Sequence, residues 1–340
     1  MKLLLLGQGI AGTVLAQVLL QRGAQVHIMD GDLPGGSTLP AAGIINPVTG
    51  KRFVKTWRLD DFFPAAQECY QLLERELGVP VWLPYPILRI LGTPEESNDW
   101  AARCALPDYA DYVGESNTGG AWQPFIKPGV SYGVIRRAAR VHFPNLLGYF
   151  RKKALALGIF QQREIRYEEV NVLARDYDAV VFCEGFRAIE NPYFPGLGWQ
   201  LAKGEALHIR IPGASGIDQM LKKNTTLVPL GDDAFWVGGS YQWHYPDLLP
   251  SAGERDYIIR RLEEMINVPF EVTGQVAGVR PTVKDRRPLL GVSKVLPNVF
   301  IFNGLGTKGA LLAPYWAKHL ADHLLKGNSM DATVDIRRFE

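Results

Sequence analysis

The sequence predicts an α/β protein: a mostly parallel sheet assembled from separate stretches of chain, with an inserted α+β unit carrying a mixed or antiparallel sheet. Three observations predict it. The first thirty residues read as strand, glycine turn, helix, strand and acid. A second glycine-rich strand-to-helix junction spans Asn298 to Leu325. Between the two, residues 206–240 change to short strands separated by turn residues.

At the N-terminal end, Leu3 to Leu6 form an apolar run suited to a strand buried on both faces. Gly7-Gln8-Gly9-Ile10-Ala11-Gly12 follows, then a helical stretch from Thr13 to Arg22 stopped by Gly23. Ala24 to Met29 reads as the second strand, ending at Asp30. This is a Rossmann-like dinucleotide-binding unit in its required context. Gly7 permits a tight turn, Gly9 lets a pyrophosphate approach the backbone, and Gly12 lets helix and strand pack closely. The helix N-terminus offers free N–H groups to phosphate. Asp30 stands eighteen residues after Gly12 (30 − 12), placed to accept hydrogen bonds from an adenosine ribose. A carboxylate there would repel a 2′-phosphate, which disfavours NADP against NAD or FAD.

At 340 residues the chain has room for two domains with their own cores. Its 47% hydrophobic and 21% charged residues describe an ordinary globular protein, and a net charge of +2 gives no reason to expect nucleic acid or an anionic membrane. Arg136, Arg137 and Arg140, and Arg151, Lys152 and Lys153, read as solvated faces. The three cysteines, Cys69, Cys104 and Cys183, show no metal spacing and fit a reducing compartment. The leading apolar run is too short for a secretory leader, and no window is long enough to span a membrane, so a cytoplasmic location is expected.

After Asp30 and Gly31 comes a Gly/Pro/Ser-rich connection to Pro40, then Ala41-Ala42-Gly43-Ile44-Ile45-Asn46-Pro47. Such a row of small residues would let a planar ring lie on the backbone, and it would equally serve as a plain loop. Asp60 to Leu77 has helical spacing closed by Gly78, and Val81 to Leu91 reads as a strand broken by Pro84 and Pro86. Residues 93–133 are mixed, with a helix near Glu95 to Cys104. Phe143 to Leu157 reads as a helix capped by Gly158, and Ile159 to Tyr167 as a strand. Asp178 to Gly185 reads as a buried parallel strand ending at Cys183-Glu184-Gly185, with Cys183 a small buried hydrophobe rather than a nucleophile. Strands are expected at Ala206 to Ile211, Thr226 to Leu230 and Phe235 to Ser240. Tyr241, Trp243, His244 and Tyr245 follow, an aromatic group that could be core, interface or substrate contact. Glu254 to Ile266 is expected helical, Gly274 to Gly291 strand-like, and Asn298 to Phe302 a buried strand. Gly304-Leu305-Gly306-Thr307-Lys308-Gly309 then opens the helix Ala310 to Leu325. Glycine turns at both ends of the chain suit one FAD, with one turn for the pyrophosphate and the other for the flavin ring.

These residues resemble the FAD-dependent D-amino-acid oxidase superfamily, which includes D-amino-acid oxidase, glycine oxidase and sarcosine oxidase. The motif likeness is strongest to glycine oxidase and to the oxidase half of the bifunctional tRNA wobble-uridine enzyme. The resemblance covers nearly the whole chain. It rests on Gly7 to Asp30, on Ala41 to Pro47, on Phe160-Gln161-Gln162-Arg163-Glu164-Ile165 through Gly185, and on Gly278-Val279-Arg280-Pro281-Thr282-Val283-Lys284-Asp285 with Pro288, Gly291 and Gly304 to Pro314.

The resemblance implies roles. Ile165 and Gly185 would fall on the adenine-contacting strand and second FAD glycine, and Ala41 to Gly43 against the flavin. Arg280 would bind a substrate carboxylate, for which its planar fork suits two parallel hydrogen bonds, the plainer reading being a structural ion pair. Gly304 to Gly309 would present N–H groups to the flavin N1–C2=O edge. Lys308 would add positive charge there or help activate dioxygen, or be an exposed lysine with no role. Tyr241 is carried as a substrate contact. No His-containing pattern follows Asp30 and no Cys lies near Gly304 or Arg280, so FAD is expected to be held non-covalently. Ser240 to Tyr245 does not match the substrate-tyrosine pattern of D-amino-acid oxidase.

The expected organisation is an FAD-binding domain from residues 1–50, 134–198 and 275–340, with a substrate domain from 51–133 and 199–274. The resemblance implies oxidation of the C–N bond of a small amino acid or N-substituted amino acid, with hydride passing to flavin N5, release of an imine and reoxidation by O2. The alternatives are a tRNA carboxymethylamino oxidase, a flavin-binding subunit or sensor without turnover, and an NAD-dependent dehydrogenase, which the second glycine turn disfavours. No metal is expected, and the oligomeric state stays open.

Overall fold

The computed structural model describes residues 1–340. A six-stranded sheet runs in the order Phe160–Gln162, Gln25–Asp30, Lys2–Leu6, Ala179–Phe182, Val299–Asn303, Leu289–Val292. The first five strands are parallel and the last antiparallel. Leu3 to Leu5 are fully buried because layers cover both faces of the sheet. The helix Ile10–Gln21 follows the first glycine turn and packs against the helix Gly309–Lys326, which follows the second. Gly12 makes the turn-to-helix approach possible, since a Cβ there would stand 1.9 Å from the Gly7 carbonyl oxygen.

The second sheet has eight strands, in the order Glu271–Arg280, Ala202–Arg210, Ala234–Gly238, Thr226–Gly231, Met220–Lys222, Ile87–Leu91, Ser131–Ile135, Val113–Ser116. It is antiparallel except where Met220–Lys222 lies parallel to Ile87–Leu91, so the sheet is mixed. A small third sheet, Ile44–Ile45, Ala139–Val141 and Trp82–Leu83, joins the segment after the small-residue row to the rest. The helices Leu59–Leu77, Pro94–Cys104, Phe143–Ala156 and Ala252–Glu263 lie within two or three residues of their expected bounds.

Three expectations change. The strand expected to reach Tyr167 is only Phe160–Gln162, because its neighbour ends at Asp30, opposite Gln162, and leaves nothing further to pair with. The long strand-like stretch 274–291 is two strands in two sheets. Pro281 has no N–H to continue the ladder, so the chain leaves the second sheet at Arg280 and joins the first at Leu289. Arg140 does not belong to a solvated face. It is buried, and its Nη1 donates to the Pro229 carbonyl at 2.9 Å, while Arg136 and Arg137 are exposed. No helix is long and apolar enough to cross a membrane.

Candidate active site

A cavity of about 970 Å³ lies between the two large sheets. One end is lined by Gly7, Gln8, Gly9, Ile10 and Ala11 of the glycine turn, with Asp30 and Gly31 at the end of the second strand. The Asp30 carboxylate accepts the Gln8 backbone N–H and, at 2.7 Å, that of Asp32, and a face of it remains open to the cavity. Thr38 Oγ1 accepts from Ile10 N–H at 3.2 Å at the helix start. Gly12 lies under the turn and does not line the cavity.

Ile165, Cys183, Glu184 and Gly185 form the wall beside Asp30. Cys183 is buried and its thiol is pushed far up by desolvation, which suits a packing residue. The Glu184 carboxylate accepts from Asn191 Nδ2 at 2.6 Å and Tyr167 Oη at 3.0 Å. Burial, outweighing those two bonds, raises its pKa to about 7.

Ala41, Ala42 and Gly43 line the middle of the cavity, facing Leu305, Gly306, Thr307 and Gly309 of the second glycine junction. Gly304 is behind this wall against Leu289. Lys308 also points away: its Nζ donates to Thr56 Oγ1 at 3.0 Å. Burial, with Arg286 and Arg287 adding repulsion, lowers its pKa to about 8.

Arg280 ends its strand at the remaining side of the cavity. Its guanidinium lies across Gly204 of the neighbouring strand and within 5.2 Å of the Tyr241 ring centroid. No carboxylate pairs with it, and Nη1 is buried without a hydrogen-bond partner. Desolvation lowers its pKa, with only the Tyr241 hydroxyl opposing. A desolvated guanidinium without an acidic partner is costly to bury, which sets Arg280 apart from a structural ion pair.

Two contributors escaped sequence reasoning. Gly204 lies two residues before the strand expected from Ala206, and only the observed strand Ala202–Arg210 makes it a glycine inside a strand, which marks close approach of another group. Arg151, read as part of a solvated face, lines the cavity and bonds Gln8 and Asp32. Nothing in its local sequence distinguishes it from Lys152.

The residues present fit a flavin dinucleotide. Glycine junctions bracket the cavity, an acid stands at the end of the second strand, and small residues line the middle. Residues 2–323 match the family described as FAD dependent oxidoreductase. The chain is 26% identical over 327 residues to the tRNA 5-methylaminomethyl-2-thiouridine biosynthesis bifunctional protein MnmC of Maricaulis maris (strain MCS10), covering 95% of this chain and 52% of that protein. It is 25% identical over 357 residues to the bifunctional protein ThiO/ThiG of Nostoc sp. (strain PCC 7120 / SAG 25.82 / UTEX 2576), covering 96% and 53%. The chain thus spans about half the length of these curated relatives. Glycine oxidase from Geobacillus kaustophilus superposes with a TM-score of 0.78 at 20% identity, over 100% of this chain and 97% of that one. Iminodiacetate oxidase from Chelativorans sp. BNC1 superposes with a TM-score of 0.76 at 19% identity, over 100% and 98%. At these identities the likeness to the solved structures is one of fold.

Proposed function

The chain belongs to the FAD dependent oxidoreductase family, and within that family we propose that it oxidises the C–N bond of a small primary or secondary amine bearing a carboxylate. The carrying observation is Arg280, a buried guanidinium with no acidic partner beside the cavity. Bound FAD supplies the two-electron acceptor.

The chain's own residues bind and orient. Arg280 takes the substrate carboxylate through its fork, which fixes the position of the adjoining carbon. Gly204 and Gly239 leave the room in which that fork lies. The Tyr241 ring covers it from the solvent side. Asp30 serves the ribose, and the two glycine junctions the pyrophosphate and the ring. No acid–base residue is required where the free amine is the reactive species, and we name none. Dioxygen is the proposed terminal acceptor. Residues 1–50, 134–198 and 275–340 are proposed to hold the cofactor, and 51–133 with 199–274 the substrate.

The test is Arg280→Met, assayed with a panel of amino and N-methyl amino acids. Loss of a buried charged partner costs about 3 kcal/mol, so kcat/KM should fall about a hundredfold while the flavin spectrum is retained. Unchanged kinetics would falsify the role. The likeness to MnmC supports a second reading, a carboxymethylamino group on a tRNA held by the same arginine. The net charge of +2 speaks against a polyanionic substrate.

A further inference from the structure

We propose that Arg151, Asp32 and Gln8 form a latch across the adenosine end of the cavity, and that this latch sets how fast FAD enters and leaves. The proposal concerns cofactor exchange and stands independently of the substrate.

Arg151 sits on the helix Phe143–Ala156, while Asp32 lies in the connection that follows Asp30. The two come from separate parts of the chain, pair with each other, and both line the cavity. Arg151 Nη1 is 2.7 and 2.8 Å from the two carboxylate oxygens of Asp32. Its Nε donates to Gln8 Oε1 at 2.5 Å. Gln8 Nε2 in turn donates to the Leu147 carbonyl at 3.1 Å, one turn earlier on the same helix. The Gln8 backbone N–H donates to Asp30, whose other oxygen accepts from Asp32 N–H. The contacts therefore close a ring: Gln8 to Arg151, Arg151 to Asp32, Asp32 to Asp30, Asp30 back to Gln8. All four residues line the cavity.

The ring is firm on one side and loose on the other. Gln8 is 2% exposed and anchored to backbone. The side chains of Arg151 and Asp32 are 30% and 40% exposed. An ion pair this open to water is weak, so it breaks and reforms readily, and salt weakens it further. Both side chains line the cavity beside the glycine turn, so a dinucleotide bound at that end would lie against this pair. Of the contacts between this helix and the turn region, the Arg151–Asp32 pair is the one at the solvent boundary.

The experiment follows FAD release from the holoprotein by the recovery of flavin fluorescence after dilution, in wild type, Arg151→Met, Asp32→Asn and the double variant. Each single variant should release FAD about fivefold faster, the size of one exposed ion pair. The double variant should be no faster than Arg151→Met, because that substitution already removes the contact to Asp32 together with the bond to Gln8. Raising salt from about 50 to about 500 mM should speed release from the wild type and leave the variants nearly unchanged. Release that is faster in Arg151→Met but unchanged in Asp32→Asn would mean that Arg151 acts through Gln8 or on the cofactor itself, not through Asp32, and would overturn the latch. Equal rates in all four proteins would overturn it as well. Asp32→Asn is nearly isosteric and lies in a loop, so it reports even if Arg151→Met does not fold.

Discussion

The guanidinium of Arg280 occupies the space that a side chain on Gly204 would fill: a Cβ there would stand 2.0 Å from Nη2. The register places Gly204 opposite Gly278, two residues before Arg280, so the long side chain folds back over its neighbour strand. Gly204→Ala should therefore displace the fork without removing its charge. We expect KM for a carboxylate-bearing amine to rise about tenfold or more, with flavin content and thermal midpoint close to wild type. A wild-type KM would show that the fork does not need this position.

Glu184 makes stability depend on pH. Its folded pKa of about 7 lies above the ordinary 4.5, so the folded state holds its proton more tightly than the unfolded one. The associated stability is fully present below about pH 4.5 and is lost as pH rises through about 7. Urea unfolding between pH 5 and 8 should show wild type losing stability relative to Glu184→Gln, which carries no titrating proton. Parallel curves for the two proteins would contradict the burial argument.

Lys203 and Glu205 lie on the face of the second sheet opposite Arg280, each 1% exposed, with Nζ 3.2 Å from Oε1. Glu205 also accepts from Ser251 N–H at 2.8 Å and Gln275 Nε2 at 2.7 Å, while Lys203 donates to the Leu249 carbonyl. The pair thus ties down the segment after Tyr241. Glu205→Ala leaves a buried ammonium unpaired and should cost about 3–5 kcal/mol in chemical denaturation. Lys203→Met/Glu205→Leu should recover much of that loss, and a single variant as stable as wild type would refute the account.

Lys308 carries the opposite sign to Glu184. Its folded pKa of about 8 lies below the ordinary 10.5, so its burial opposes folding while it is charged. Stability should rise as pH climbs from about 8 to 10.5. Lys308→Met should therefore have the higher thermal midpoint at pH 7, and the gap should narrow above pH 9. A lower midpoint for the variant at pH 7 would mean that the bond to Thr56 outweighs the burial.

Much of the fold was legible because its signals are local. The run Leu3 to Leu6, the turn Gly7 to Gly12 and the acid at Asp30 act on neighbours within one supersecondary unit, and the same holds at Gly304 to Gly309. Strand lengths were less legible, since a strand extends only while a partner lies beside it. Phe160–Gln162 stops where Asp30 does, and no property of residues 163–167 announces that.

The sequence by itself determined that this chain builds a dinucleotide-type unit, where its glycine turns fall, and that Arg280 stands in a family-like motif. The tertiary structure alone decided that Arg280 is unpaired, that Gly204 makes its room, that Lys308 faces Thr56, and that Arg151 meets Asp32 across 119 residues of chain. The reason is physical. A turn is set by the φ and ψ of adjacent residues, whereas the partner of a charge is set by sheet register and helix packing, which bring together residues that no local pattern connects.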